Sequence, residues 1–125
     1  MNIGVKGRME TVVNESNSAV AVGSGTLKVF ATPAMVALVE ETAWRSVVPY
    51  LEEGQTTVGT NVNVNHVSPT PLGMKVFCET ELIEAEGRKL KFKVNVHDEK
   101  GLIGEGTHER FIVDADRFQA KANNK

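Results

Sequence analysis

The chain has 125 residues, 41% hydrophobic and 24% charged, with a formal net charge of −2. That describes one globular domain able to bury a core, and the near-neutral charge argues against nucleic acid or an acidic membrane as the main partner. The lone cysteine, Cys78, excludes an intrachain disulfide. No apolar run approaches the ~20 residues of a membrane span. MNIGVKGRMETVV holds no signal-peptide core, so a cytoplasmic protein is expected.

Val5 to Val13 is predicted as a first strand, with Val5, Met9, Thr11 and Val13 among polar positions. Asn14–Ser18 is turn-like, and Ala19–Val22 is predicted as a short second strand. Gly23-Ser24-Gly25 then leads into the stretch Phe30–Tyr50, FATPAMVALVEETAWRSVVPY. Thr32-Pro33 is a good helix start, because a threonine hydroxyl can cap and proline suits the first helical position. Ala34 to Val39 are all apolar, which predicts a helix buried on every side. The run meets Glu40, a carboxylate that is costly there unless it is paired or used. The helix is expected to end near Leu51, with Gly54 as its stop.

Beyond Gly54 the pattern has period two. Thr56–Val67 is predicted with Val58, Thr60, Val62, Val64 and His66 on one face and Gly59, Asn61, Asn63, Asn65 and Val67 on the other. Ser68–Gly73 breaks the pattern. Met74–Leu82 alternates again, Glu86-Gly87 makes a hairpin, and Arg88–Asp98 points Leu90, Phe92, Val94 and Val96 inward. Lys100-Gly101 makes a second hairpin and Leu102–Val113 the last strand. The polar tail, about 114–125, is expected to be partly ordered by Phe118. One helix followed by long antiparallel strands is an α+β pattern, a single domain over 1–125. A helix apolar all round needs more cover than one sheet provides, so a homodimer is expected.

Several polar residues stand out. Glu40 is either the first exposed residue of the helix or a carboxylate held in an apolar pocket, able to attack or to activate water. Thr32 reads as a helix cap. His66 lies on the apolar face of its strand, where a lone histidine is usually a hydrogen-bonded core residue; its place just before a loop favours a site. Gly59 is a bulge, or a point where a ligand meets the backbone. Gly104 and Gly106 make room for a helix or a ligand, and His108 and Arg110 share their side, as a salt-bridged surface or an anion contact. His97 falls on the solvent face, and Cys78 reads as inert core. No GxGxxG, P-loop, Gly-x-Ser-x-Gly or metal-ligand spacing occurs.

Phe30–Glu40, Val58-Gly59-Thr60, Asn65-His66 leading to Thr70-Pro71-Leu72-Gly73, and Gly106-Thr107-His108-Glu109-Arg110 together resemble the hotdog-fold thioesterases of the fluoroacetyl-CoA thioesterase type. The resemblance runs from about Val29 to Phe118. It implies a hotdog fold (a long central helix wrapped by a curved antiparallel sheet), a homodimer or a pair of dimers, and hydrolysis of an acyl-CoA thioester. It implies that Thr32, Glu40 and His66 are catalytic, that Gly59 and Arg110 contact substrate, and that no cofactor is needed beyond the CoA of the substrate. Members specialised for the fluorinated substrate carry an aromatic lid before the threonine. Ala21–Lys28 contains no aromatic, so another short- or medium-chain acyl group is expected. The alternatives are a hotdog acyl-CoA hydratase or dehydratase, and a non-catalytic acyl-CoA binding protein. Along a helix Thr32 and Glu40 stand ~12 Å apart, which puts the set either across a dimer or with Thr32 at a short remove.

Overall fold

The computed structural model describes all residues, 1–125. In chain order the elements are β1 (Lys6–Val12), α1 (Ala19–Val22), α2 (Thr32–Val47), β2 (Gln55–His66), β3 (Lys75–Glu86), β4 (Lys89–Asp98), β5 (Gly101–Asp114) and α3 (Ala115–Asn123). The five strands form one antiparallel sheet in the order β1-β3-β4-β5-β2, and α2 lies against its inner face. No helix is long and apolar enough to cross a membrane.

The strands realise the period-two pattern. Val76, Cys78, Thr80 and Leu82 of β3 and Leu90, Phe92, Val94 and Val96 of β4 are all buried. From α2 they meet Met35, Leu38, Val39, Thr42, Ala43 and Val47, spaced three, one, three, one and four residues apart as one helical stripe requires. Each large apolar side chain buried there contributes about 1.5–3 kcal/mol relative to exposure. Gly7 lets α2 approach β1: a Cβ there would lie 2.8 Å from the Thr42 carbonyl oxygen. Gly104 likewise receives the Met35 sulfur, so this glycine makes room for the helix and not for a ligand.

Five expectations are corrected. α2 buries one stripe and not its whole circumference: Ala37 and Trp44 are exposed and Val36 is half-buried in the single chain. The helix stops at Val47, because Pro49 has no N–H to continue the ladder and a 3-10 turn, Val48–Tyr50, takes over. Ala19–Val22 is one helical turn, started by the Ser18 hydroxyl, which accepts from the Ala21 N–H, and ended by Gly23 at φ 74°. The tail is a helix, α3, capped by Asp114; Phe118 stays 47% exposed and does not anchor it in the core. Finally, β2 does not alternate without interruption. A bulge between Gly59 and Asn61 shifts the register with β5 by one residue. Thr57 and Gly59 therefore face inward together with Val62, Val64 and His66.

Candidate active site

At the start of α2 the backbone of Ala31, not a side chain, occupies the cap position. Thr32 is the first helical residue, so its hydroxyl is not spent on capping, contrary to the plain reading of Thr-Pro. It lies 2.7 Å from Nδ1 of His66, the last residue of β2. The pair is set by backbone ties on either side. The Phe30 N–H donates to the Thr70 carbonyl (2.9 Å) and the Ala31 N–H to that of Asn17 (3.0 Å). Thr70 is fixed in turn by its hydroxyl, which donates to Asp98 Oδ2 at 2.8 Å.

Burial pushes the His66 imidazole below its ordinary pKa, with the Ser68 backbone working in the other direction. The ring is thus neutral at neutral pH. In the tautomer protonated at Nε2, Nδ1 accepts the Thr32 hydroxyl proton, the arrangement of a hydroxyl next to a base. Nε2 is buried and has no hydrogen-bond partner. A cavity of about 310 Å³ opens beside the pair, lined by Ala19, Ser24, Phe30, Thr32, His66 and Pro69 among others.

Two turns further along α2 lies a second cluster. Glu40 Oε2 is 3.3 Å from Arg110 Nη1, and the two side chains are 40% and 7% exposed. The acid is therefore half open to solvent in the single chain, while the guanidinium is almost wholly covered. Arg110 donates from Nε to the Thr57 hydroxyl (2.8 Å) and from Nη2 to the Thr57 carbonyl (3.0 Å). Burial lowers the Arg110 pKa and the Glu40 charge pulls it back; a guanidinium stays protonated regardless. A Cβ at Gly59 would stand 2.5 Å from Glu40 Oε2 and 3.2 Å from Arg110 Nη1. Only glycine leaves the carboxylate where it is.

The chain thus brings Thr32 to His66, and separately brings Glu40, Gly59 and Arg110 together. It does not join the two groups within one protomer. Of the two readings for the last strand, the salt-bridged surface is excluded: His108 is 0% exposed and Arg110 5%. Thr57 is a part of the second cluster that the sequence pattern did not single out, and His108, noted only for sharing the side of Arg110, belongs to it as well. The usable signal was the inward side shared by Gly104, Gly106, His108 and Arg110. Cys78 is buried, and burial pushes its thiol up to about 11, which makes it inert. No three His, Cys, Asp or Glu side chains are grouped to hold a metal ion.

A long helix laid across a five-stranded antiparallel sheet, with Thr32 meeting the end of β2 and Glu40 meeting Arg110 of β5, defines a hotdog-fold protein. The family model described as FlK, fluoroacetyl-CoA-specific thioesterase, matches residues 13–116. The fluoroacetyl-CoA thioesterase of Streptantibioticus cattleyicolor is 43% identical over 98 residues, 78% of this chain and 70% of that protein. A solved structure of the fluoroacetyl-CoA thioesterase FlK superposes with a TM-score of 0.95 at 35% identity, covering 100% of this chain and 97% of the other. A phenylalanine-to-alanine mutant of that enzyme, solved in complex with fluoroacetate and CoA, superposes with a TM-score of 0.87 at 35% identity, covering 94% and 99%. The chain belongs to the fluoroacetyl-CoA-specific thioesterase family, and it is a hotdog-fold thioester hydrolase.

Proposed function

We propose that this thioesterase hydrolyses a short- or medium-chain acyl-CoA to the free acid and CoA without a cofactor, at a site shared between two copies of the chain. The observation that carries the reading is the pair of half-sites on one helix. Thr32 and His66 make a hydroxyl–base couple, Glu40 and Arg110 a held carboxylate, and ~12 Å of helix separates them. One thioester carbonyl cannot touch both in a single protomer. A two-fold partner supplies the missing half. The surfaces it needs are present: Trp44, Val48 and Tyr50 are 36%, 50% and 58% exposed, and β2, 12 residues long, is an edge strand with no neighbour on its outer side.

In this mechanism the carbonyl oxygen lies near the backbone at Gly59, where an N–H meets the developing negative charge. Glu40 attacks the carbonyl carbon or directs a water at it. In the water route Thr32 orients the water or relays its proton, which passes by way of Glu40 and His66 to the departing thiolate. In the direct route the thiolate departs as an acyl–Glu40 anhydride forms. Water then hydrolyses the anhydride, regenerating Glu40, releasing the free acid and supplying the proton of the thiol. Arg110 holds Glu40 and contacts the acyl group. The cavity beside Thr32 is bordered by Ala19 and Ser24, and Ala21–Lys28 contributes no aromatic ring, which supports acyl groups other than fluoroacetyl.

Mixing two impaired variants tests the shared site. Thr32→Val and Glu40→Gln are each purified, then unfolded and refolded together, and thiol release is followed across acyl-CoAs of graded length. A shared site restores about a quarter of the wild-type rate, since half the refolded dimers are mixed and each has one intact site. No recovery means that each protomer's site is complete alone. Fluoroacetyl-CoA hydrolysed far faster than every other acyl-CoA overturns the substrate assignment.

A further inference from the structure

We propose that His108 is a positioning residue for the thioesterase reaction: its neutral ring holds the Arg110 guanidinium against Glu40 and ties it to the bulge of β2. The inference rests on the reading of Glu40 as the reacting carboxylate.

His108 lies on β5 opposite Phe92 of β4 and Val62 of β2. It is fully buried, stacked on Phe92 with ring centroids 6.1 Å apart and planes at 27°. Its Nδ1 is 2.7 Å from the Asn61 carbonyl oxygen. A carbonyl only accepts, so Nδ1 carries the proton. Its Nε2 is 3.2 Å from Arg110 Nη1. A guanidinium only donates, so Nε2 is the bare nitrogen. The two contacts select one neutral tautomer, and burial and the adjacent Arg110 both disfavour a second proton.

The consequence falls on Arg110. Thr57 fixes the Nε and Nη2 side of the guanidinium, while Nη1 is divided between His108 Nε2 and Glu40 Oε2. His108 is therefore the one buried acceptor that sets the end facing the carboxylate. Being uncharged, it directs that end without competing with Glu40 for the positive charge. Through Nδ1 it also grips Asn61, the first residue after the bulge that turns Gly59 inward. Carboxylate, guanidinium and the Gly59 backbone are thus referenced to a single ring. A misplacement of about 1 Å at a reacting group costs on the order of 100-fold in rate, so a ring that touches no substrate can still govern turnover.

Two substitutions separate the two nitrogens. H108N keeps a donor near Nδ1 for Asn61 but removes the acceptor for Arg110; H108Q keeps an acceptor near Nε2 and removes the donor. Both lose packing on Phe92, and melting temperatures record that common loss. With E40Q as the reference for lost chemistry, H108N is expected to drop kcat about 10- to 100-fold with KM little changed, and H108Q to stay within a few-fold of wild type. Equal losses in the two variants, or wild-type kcat in folded H108N while E40Q is inactive, overturn the positioning role alone. A fully active E40Q overturns the Glu40 reading instead. Should either variant fail to fold, ¹⁵N NMR of the wild-type ring decides: the Nδ1–H tautomer is expected, and an Nε2–H tautomer refutes the proposal.

Discussion

Thr32 and Glu40 stand two turns apart on α2, and their surroundings differ in kind. The Thr32 end is neutral. Its hydroxyl and imidazole are set by backbone hydrogen bonds at Phe30 and Ala31, it borders a cavity, and it keeps one buried ring nitrogen unpaired. The Glu40 region is charged. There a buried guanidinium is gripped through every one of its nitrogens, and the carboxylate meets it from the half-open side. A neutral pair with a depressed imidazole pKa suits proton movement, while a fixed cation suits holding an anion in place.

Glu40→Gln should break the comparison most severely. The amide keeps an oxygen for Arg110 Nη1 but cannot attack or activate water, so kcat should fall by about 10²–10⁴-fold in a thiol-release assay. An unchanged rate removes Glu40 from the chemistry. Thr32→Val comes next. It preserves the shape of the helix start and deletes only the contact to His66, so a loss of about 10- to 100-fold is expected, the scale of a misoriented reacting group. Activity that survives intact would return Thr32 to a structural role.

The smallest effect concerns pH and stability. His66 and His108 are both pushed below the ordinary value of 6.5 by burial. As pH falls through that value the unfolded chain takes up protons that the folded chain refuses, so stability declines on the acid side. The contribution is present above pH 6.5 and is lost as pH drops through the folded values. Melting temperature measured from pH 8 to 5 should fall more steeply for wild type than for H108N, in which one of the two rings is absent. Parallel curves would show that His108 carries no such linkage.

Much of the fold was readable. The alternation in β4 named four inward side chains, Leu90, Phe92, Val94 and Val96, and all four are buried. The start of α2 and both hairpins followed from proline and glycine placement. The errors arose where a single residue outweighs a pattern. Pro49 ended the helix early, Ser18 and Gly23 turned a supposed strand into a helical turn, and the bulge after Gly59 changed which side of the first part of β2 faces inward.

For the candidate site, residue types and spacing drew attention to Glu40, because an acid ending an apolar run is costly unless used, but left Thr32, His66, Gly59 and Arg110 with plain readings beside the functional ones, which the family resemblance raised. What they could not supply was the grouping. Thr32 meets a residue 34 positions away and Glu40 one 70 positions away. Which partners meet depends on strand order and on one bulge, and the buried role of His108 depends on both. Those are properties of the packed sheet, since hydrogen-bond geometry across strands is decided by register and by nothing local to the chain.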